Sequence, residues 1–160
     1  MEIRLATLTD KEEIMALYRS HFGEEGVTWG DGYPNEEILV HEDILPGNLF
    51  CAVENGEIVA VTSLEDDAAI NELHLWDRSL EPVLHIARVG VKHGWEGRGL
   101  ARMLILHAME EMRVRGMRGV RCLVGYHNHR AQAAYAPLGF HRAGEAYAFE
   151  THWLCYEKAL

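Results

Sequence analysis

Residues Val89–Met112 read VGVKHGWEGRGLARMLILHAMEEM. An apolar strand end, Val89-Gly90-Val91, runs into a loop closed by Gly97-Arg98-Gly99, and a helix opens directly out of that loop. The two loop glycines let the backbone turn sharply and approach a ligand closely. The residues that follow, Leu100, Ala101, Met103, Leu104 and Leu106, favour helix. A helix starting in such a loop points unpaired N–H groups and the positive end of its dipole at one spot, an anion site suited to phosphate. The plain alternative is a helix that only needs a flexible entry. The loop is not GxxxxGK(S/T), since no Lys-Ser/Thr pair follows, and it lacks the third glycine of GxGxxG.

Outward from this stretch, Val83 to Val91 reads as a buried strand, and the helix from about Gly99 to Arg115 closes at Gly116. Gly119 to Val124 is a further strand. Asn128 to Ala136 is a short helix that Pro137 and Gly139 end, with Pro137 biasing Ala136 away from helical geometry. Two last strands run near Phe140–Phe149 and His152–Lys158. At the other end, Glu2 to Ala6 alternates as a strand. Thr9 and Glu12 fit a capping box before a helix striped by Ile14, Leu17, Tyr18 and Phe22. Gly23 to Gly32 is acidic and glycine-rich and is expected to be a mobile loop; Trp29 and Tyr33 there either line a substrate pocket or pack as a lid. Pro34 suits the first turn of a second helix carrying Ile38, Leu39 and Ile44. Asn55-Gly56, between Leu49–Glu54 and Glu57–Thr62, is a hairpin signal. Glu72–Trp76 is a short strand or a turn. The order β-α-α-β-β-β-α-β-α-β-β predicts an α/β chain with a mixed sheet and helices on both faces. An anion loop at a strand's carboxyl end is where such sheets bind ligands.

The 160 residues fit a single domain, 1–160, with a good core. No apolar run approaches the roughly 20 residues of a membrane span, and the start has no signal-peptide shape. Cys51, Cys122 and Cys155 lie in strand-like runs without metal spacing and read as reduced core residues of a cytoplasmic protein. The ten histidines include no HxxxH or HExxH pair, and His127 and His129 alternate in a loop; no metal is expected. The net charge of -10 is uneven: residues 1–80 hold 18 Asp/Glu and 4 Lys/Arg, residues 81–160 hold 7 and 11. A phosphate-bearing cofactor on the basic side and a cationic substrate on the acidic side would fit that division, as would a solvated surface that segregates by chance. Nucleic acid is a poor partner for this charge.

Glu96-Gly97-Arg98-Gly99-Leu100-Ala101 resembles the (Gln/Arg)-x-x-Gly-x-(Gly/Ala) signature of the GNAT superfamily of N-acetyltransferases, with Glu96 departing from Gln/Arg. A second block, NHRAQAAYAPLGF from Asn128 to Phe140, is similar to the family's Asn…AxxxYxxxGF pattern, and Trp153–Leu160 resembles the last strand of many bacterial members. The resemblance covers nearly the whole chain, and two separated motifs in the right order are more specific than either alone. The resemblance implies a GNAT-like, mostly antiparallel central sheet with helices on both faces and acetyl-CoA as cosubstrate. It places the pyrophosphate on amides of Gly97, Arg98, Gly99, Leu100, Ala101 and Arg102. Pantetheine then pairs with the main chain of Val89, Gly90 and Val91 in a slot opened by splay from the next strand, and Asn128 bonds the pantetheine or pyrophosphate region.

The implied chemistry is direct attack of an amine on the thioester in a ternary complex. A backbone amide at or near Val89 faces the developing oxyanion, and Tyr135 protonates the leaving thiolate. His85, eleven residues before Glu96, stands where some relatives carry a catalytic Glu, and its ordinary pKa of roughly 6.5 suits a base. On strict alternation it shares a face with Val89 and Val91; a bulge would upset that count. Glu72 and His74 are weaker candidates, and Arg88 is a substrate or ion-pair residue. The expected acceptor is a cationic small-molecule or peptide amine. The alternatives are a non-catalytic acyl-CoA-binding sensor or a transferase of longer acyl groups; a homodimer is left open.

Overall fold

The computed structural model describes residues 1–30 and 32–160. Seven strands, β1 (Glu2–Leu5), β2 (Leu49–Glu54), β3 (Glu57–Glu65), β4 (Val83–Val91), β5 (Gly119–Gly125), β6 (His141–Ala148) and β7 (Thr151–Ala159), form one sheet in the order β1-β2-β3-β4-β5-β7-β6. Four α-helices accompany them: α1 (Lys11–Ser20), α2 (Ala68–Asn71), α3 (Leu100–Val114) and α4 (His129–Tyr135). Neighbouring strands run antiparallel except β4 and β5. Those two pair in parallel only at Val83–Gly119, Leu84–Val120 and His85–Arg121, and beyond that they part. The mixed sheet with helices on both faces expected from the element order is therefore present, and it is mostly antiparallel as the resemblance implies.

The helical periodicity of α3 buries Leu104, Ile105, Ala108 and Met112 against Phe50, Val59, Ile86 and Val120 on one face. On the other face α1 contributes Ile14, Leu17 and Tyr18 to a cluster with Leu39, Cys51 and Val61. Burying a side chain of this size contributes about 1.5–3 kcal/mol. Asn55 and Gly56 take φ of 52° and 77°, the left-handed pair that a tight hairpin between β2 and β3 requires. All three cysteines are buried and free. Among the described residues no helix is long and apolar enough to cross a membrane.

Several local expectations are corrected. The capping box sits one short turn earlier than Thr9–Glu12: the Thr7 N–H donates to Asp10 Oδ2 at 2.8 Å, and Arg4 holds the same carboxylate in a two-pronged pair. The second helix widens into a π-helix over Ile38–Ile44, which buries Leu39, Asp43 and Ile44. A wide turn of this kind puts residues five apart on one side, so Asp43 enters the sheet interior. Of the two readings of Glu72–Trp76, the turn is the one present. The connection is held by its own short side chains: Asp67 accepts from Ala69 N–H at 2.8 Å, and Asp77 from Ser79 N–H at 2.9 Å. Ala136 is helical (φ -54°, ψ -46°) despite preceding proline. The chain tightens there into a 3-10 turn over Ala136–Leu138, where Pro137 sits at a position whose N–H needs no partner.

Candidate active site

The parting of β4 from β5 leaves a cleft. One wall is Ile86 to Val91 and the other is Leu123, Val124 and Gly125; Ala101 and Ile105 of α3 and Tyr135 of α4 form its back. A bulge in β4 shapes the first wall. Val61 pairs with Gly90 but Ser63 pairs with Ala87, so β4 carries one extra residue, and Arg88 takes φ 48° to accommodate it. The bulge reverses the alternation. Ile86, Val89 and Val91 face the α3 core, whereas His85 lies on the opposite face.

At the mouth, Gly94, Gly97 and Gly99 have φ of 89°, 76° and 75°, and a Cβ at any of them would meet open space. Here glycine is required by conformation rather than by crowding. The first bond of α3 runs from Met103 N–H to Gly99 C=O at 3.0 Å. The N–H groups of Leu100, Ala101 and Arg102 therefore precede the ladder and remain for a ligand. Glu96 does not face that ligand position: its carboxylate accepts the Gly94 N–H at 2.8 Å and lies 3.2 Å from His93 Nδ1. Its own amide and that of Gly94 hold it below the usual carboxylate range. Arg98 stacks on Trp95 at 4.3 Å. Neither Arg98 nor Arg102 lines the cleft; Arg130, in the first turn of α4, does. Arg130 lies between the Asn and the Tyr of the second block, at a position that the resemblance leaves unspecified.

Asn128 lines the cleft and caps α4, its Oδ1 accepting from Ala131 N–H at 3.1 Å. Tyr135 packs edge-on to Phe140 at 5.2 Å. Burial, and Cys122 beside the hydroxyl, lift its pKa well above the ordinary tyrosine value, so the phenol keeps its proton at neutral pH. His85 is not brought to the cleft. It is 1% exposed, its Nε2 lies 3.0 Å from Asn71 Oδ1, and the Asp67 N–H donates to Nδ1 at 3.4 Å. Burial pushes its pKa down to about 4. Its place as a base in the cleft is thus corrected: the bulge set it on the far face, where it joins a structural network. Glu72 and His74 also stand outside the cleft lining.

Arg88 does line the cleft, and its guanidinium is gripped from behind. It donates to Asp43 Oδ2 and Oδ1 at 2.9 and 2.7 Å, to Glu65 Oε2 at 2.9 Å and to the Tyr33 hydroxyl at 3.1 Å. Burial raises the Glu65 carboxyl above its usual range even with Arg88 against it. In the segment Gly23–Gly32, expected to be mobile, Gly26 to Trp29 pack across the cleft instead, and Asp31 lies outside the described residues. A Cβ on Gly26 would collide with His127 O at 2.5 Å, and one on Gly90 would meet Leu17 at 2.8 Å and the Trp29 ring at 3.1 Å. Trp29 and Thr28 thereby close the slot from the α1 side.

Residues 12–140 match the family described as the acetyltransferase (GNAT) family. The chain belongs to this family. The GNAT chain is 36% identical over 121 residues to the mycothiol acetyltransferase of Thermobifida fusca, which is 68% of this chain and 36% of that protein. It spans about a third of the length of the curated relatives it matches. Among solved structures, the ribosomal-protein-alanine N-acetyltransferase of Brucella melitensis shares the fold at TM-score 0.79 and 19% identity over 100% of both chains. An acetyltransferase of Salmonella typhimurium, solved with its cofactor acetyl-CoA, does so at TM-score 0.78 and 18% identity, over 100% of this chain and 94% of that one. The family's cofactor is acetyl-CoA, and the residues present in the GNAT chain fit it. Open loop amides and Arg130 suit a diphosphate, and an unpaired strand edge suits the amides of pantetheine. A protonated phenol stands deep in the slot.

Proposed function

We propose that the protein transfers the acetyl group of acetyl-CoA to a primary amine by direct attack. The observation that supports this is a single cleft between β4 and β5 lined both by Ala101, in the first turn after the glycine loop, and by Tyr135. The diphosphate takes the N–H groups of Leu100, Ala101 and Arg102 at the mouth, with Gly97, Arg98 and Gly99 shaping the turn, and Arg130 and Asn128 flank it. Pantetheine runs along Val89, Gly90 and Val91 as an added strand would. The neutral amine nitrogen attacks the thioester carbon, and a main-chain N–H at the Val89 bulge stabilises the resulting oxyanion. As the C–S bond breaks, its electron pair goes to sulfur and Tyr135 supplies the proton. The amine loses a proton, and amide and CoA thiol leave.

The base in this proposal is Glu65, which stands behind Arg88 and outside the cleft lining and so would take the proton through water. Its burial makes it a stronger base than an exposed carboxylate. The acidic half of the chain, with 18 Asp/Glu against 4 Lys/Arg in residues 1–80, favours a cationic acceptor. The deciding experiment is release of free thiol from acetyl-CoA with a panel of polyamines, aminoglycosides, lysine-like metabolites, peptide amino termini and, given the relatives' name, the amine acetylated to mycothiol. Turnover with at least one of them is expected. Tight acetyl-CoA binding with no thiol release on any amine would make the protein a sensor of the cofactor instead.

Three variants test the parts. Gly99→Glu forces a side chain into φ 75°, which costs about 1–2 kcal/mol, and places a negative charge among the phosphate donors. Calorimetry is expected to show acetyl-CoA affinity falling by roughly 100-fold, since loss of even one such charged contact costs several kcal/mol; unchanged affinity would remove the loop from the site. Tyr135→Phe is expected to lower kcat by about 100-fold while leaving acetyl-CoA affinity within about twofold; equal turnover would take the phenol out of the reaction. For Glu65, the active form is the ionised one, so activity rises with pH through its elevated pKa. Glu65→Gln should erase that acidic limb, and an unaltered limb would assign the proton to another group.

A further inference from the structure

We infer that His21, Glu24 and His93 form a binding site for a first-row divalent transition metal of the zinc class. His21 ends α1, Glu24 stands in the segment that crosses the cleft, and His93 follows β4. One ligating atom from each lies within 4.8 Å of the other two. A single carboxylate oxygen, Glu24 Oε1, lies against His21 Nδ1 and 3.3 Å from His93 Nε2. The two rings are 4.3 Å apart between centroids.

The argument is one of proton counting. Each ring has oxygen acceptors at both nitrogens. His21 Nε2 lies 2.7 Å from Val91 O, and its Nδ1 meets Glu24. His93 Nδ1 lies 3.2 Å from Glu96 Oε1, and its Nε2 meets Glu24 Oε1 and, at 3.1 Å, Ser20 O. A neutral imidazole has one N–H, so on each ring one lone pair must face an oxygen that can only accept. The competing arrangement is a protonated ring, which the Ser20 carbonyl, Glu24 and Glu96 favour at His93; charging both rings would set two imidazolium ions against each other. A cation at the point shared by His21 Nδ1, His93 Nε2 and Glu24 satisfies both rings at once. The remaining N–H of His21 then donates to the Val91 carbonyl and that of His93 to the Glu96 carboxylate. That is the outer shell that fixes tautomer and orientation in histidine metal sites. Two imidazoles and one carboxylate suit zinc, cobalt, nickel or copper better than magnesium or calcium, which take oxygen ligands. Spacing rules pass over the site because its two histidines lie on different elements.

The site goes beyond the acetyltransferase reading and does not depend on it. Its position gives it a role: it would tie the segment bearing Trp29 to the loop that follows β4. The test is calorimetric titration of zinc chloride alone, without any CoA compound, into tag-free protein stripped with EDTA. A parallel cobalt titration reads the d–d bands of nitrogen and oxygen ligation. One equivalent is expected to bind. His93→Ala and Glu24→Gln, both at partly exposed side chains, are expected to weaken binding by roughly 100-fold or more, since even outer-shell losses cost 10–100-fold. The double change His127→Ala with His129→Ala should leave binding intact. No heat with zinc, or equal affinity in His93→Ala and Glu24→Gln, would overturn the site whatever the enzyme assay shows.

Discussion

Arg121→Ala is expected to lower the unfolding free energy by about 3–5 kcal/mol, the range for removing one partner of a buried ion pair. Arg121 is 0% exposed and Glu157, opposite it across β5 and β7, is 2% exposed. Arg121 Nη1 donates to Asn71 Oδ1 at 3.3 Å, and Nη2 to the Asp77 carbonyl at 3.2 Å and to Glu81 Oε2 at 3.3 Å. Its guanidinium lies over Trp76 at 5.0 Å. Its Nε stands 3.7 Å from Glu157 Oε2, an ion pair too long to be a hydrogen bond. The side chain therefore does two things: it offsets the Glu157 charge and pins the 66–82 connection to the sheet. Among the described residues, alanine leaves Glu157 with the Asp77 N–H and His141. Urea unfolding followed by circular dichroism measures the change, and a loss under about 1 kcal/mol would show that the cluster relaxes with water at little cost.

A second large effect is expected in acid. His85 has a folded-state pKa of about 4 against an ordinary 6.5, mainly because burial disfavours the charged ring. Between those values the unfolded chain binds a proton that the folded one refuses. The unfolded state thus holds more protons, and stability must fall as pH falls from 6.5 to 4. At 1.36 kcal/mol per unit the full loss is about 3 kcal/mol. Other groups titrate in the same range, so the informative quantity is the difference between the native chain and His85→Gln, which keeps an amide to meet Asn71. Unfolding free energies measured from pH 7 to 4 should show a shallower decline for the variant. Parallel declines would mean that the ring charges in place, drawn by Asp66 and Asp67.

Some of this could be read directly from residues, for reasons that are local. The strand Val83–Val91, the Asn55-Gly56 hairpin and the helix between Gly99 and Gly116 each carry their own signal, in alternation, turn chemistry or a left-handed stop. The cleft proposed for the cofactor is lined by residues of the second motif, Asn128–Phe140, and by Ala101 of the first. What escaped depends on partners far away in the chain. The face on which His85 lies is set by the bulge at Arg88, whose φ is 48° and whose side chain is held by the distant Asp43 and Glu65. The π-helix that delivers Asp43 has no periodic signature of its own in seven residues. Nothing beside Arg121 in the chain signals its burial, which comes from Trp76 and Glu81 lying against it. Thr9–Glu12 has the spacing of a capping box, yet Arg4 draws the cap to Asp10.

The brief parallel contact between β4 and β5 has a mechanical meaning. With only three residue pairs joining them, the sheet is two ribbons riveted at one end, like the arms of tweezers. Past the rivet, each inner margin presents polar main-chain groups with no rung across the gap, and such groups are costly to leave dry. A guest bearing amides of its own would supply the missing rungs and brace both arms. Stiffness of the molecule and possession of its guest are therefore one property, and the empty tweezers should be the more compliant form.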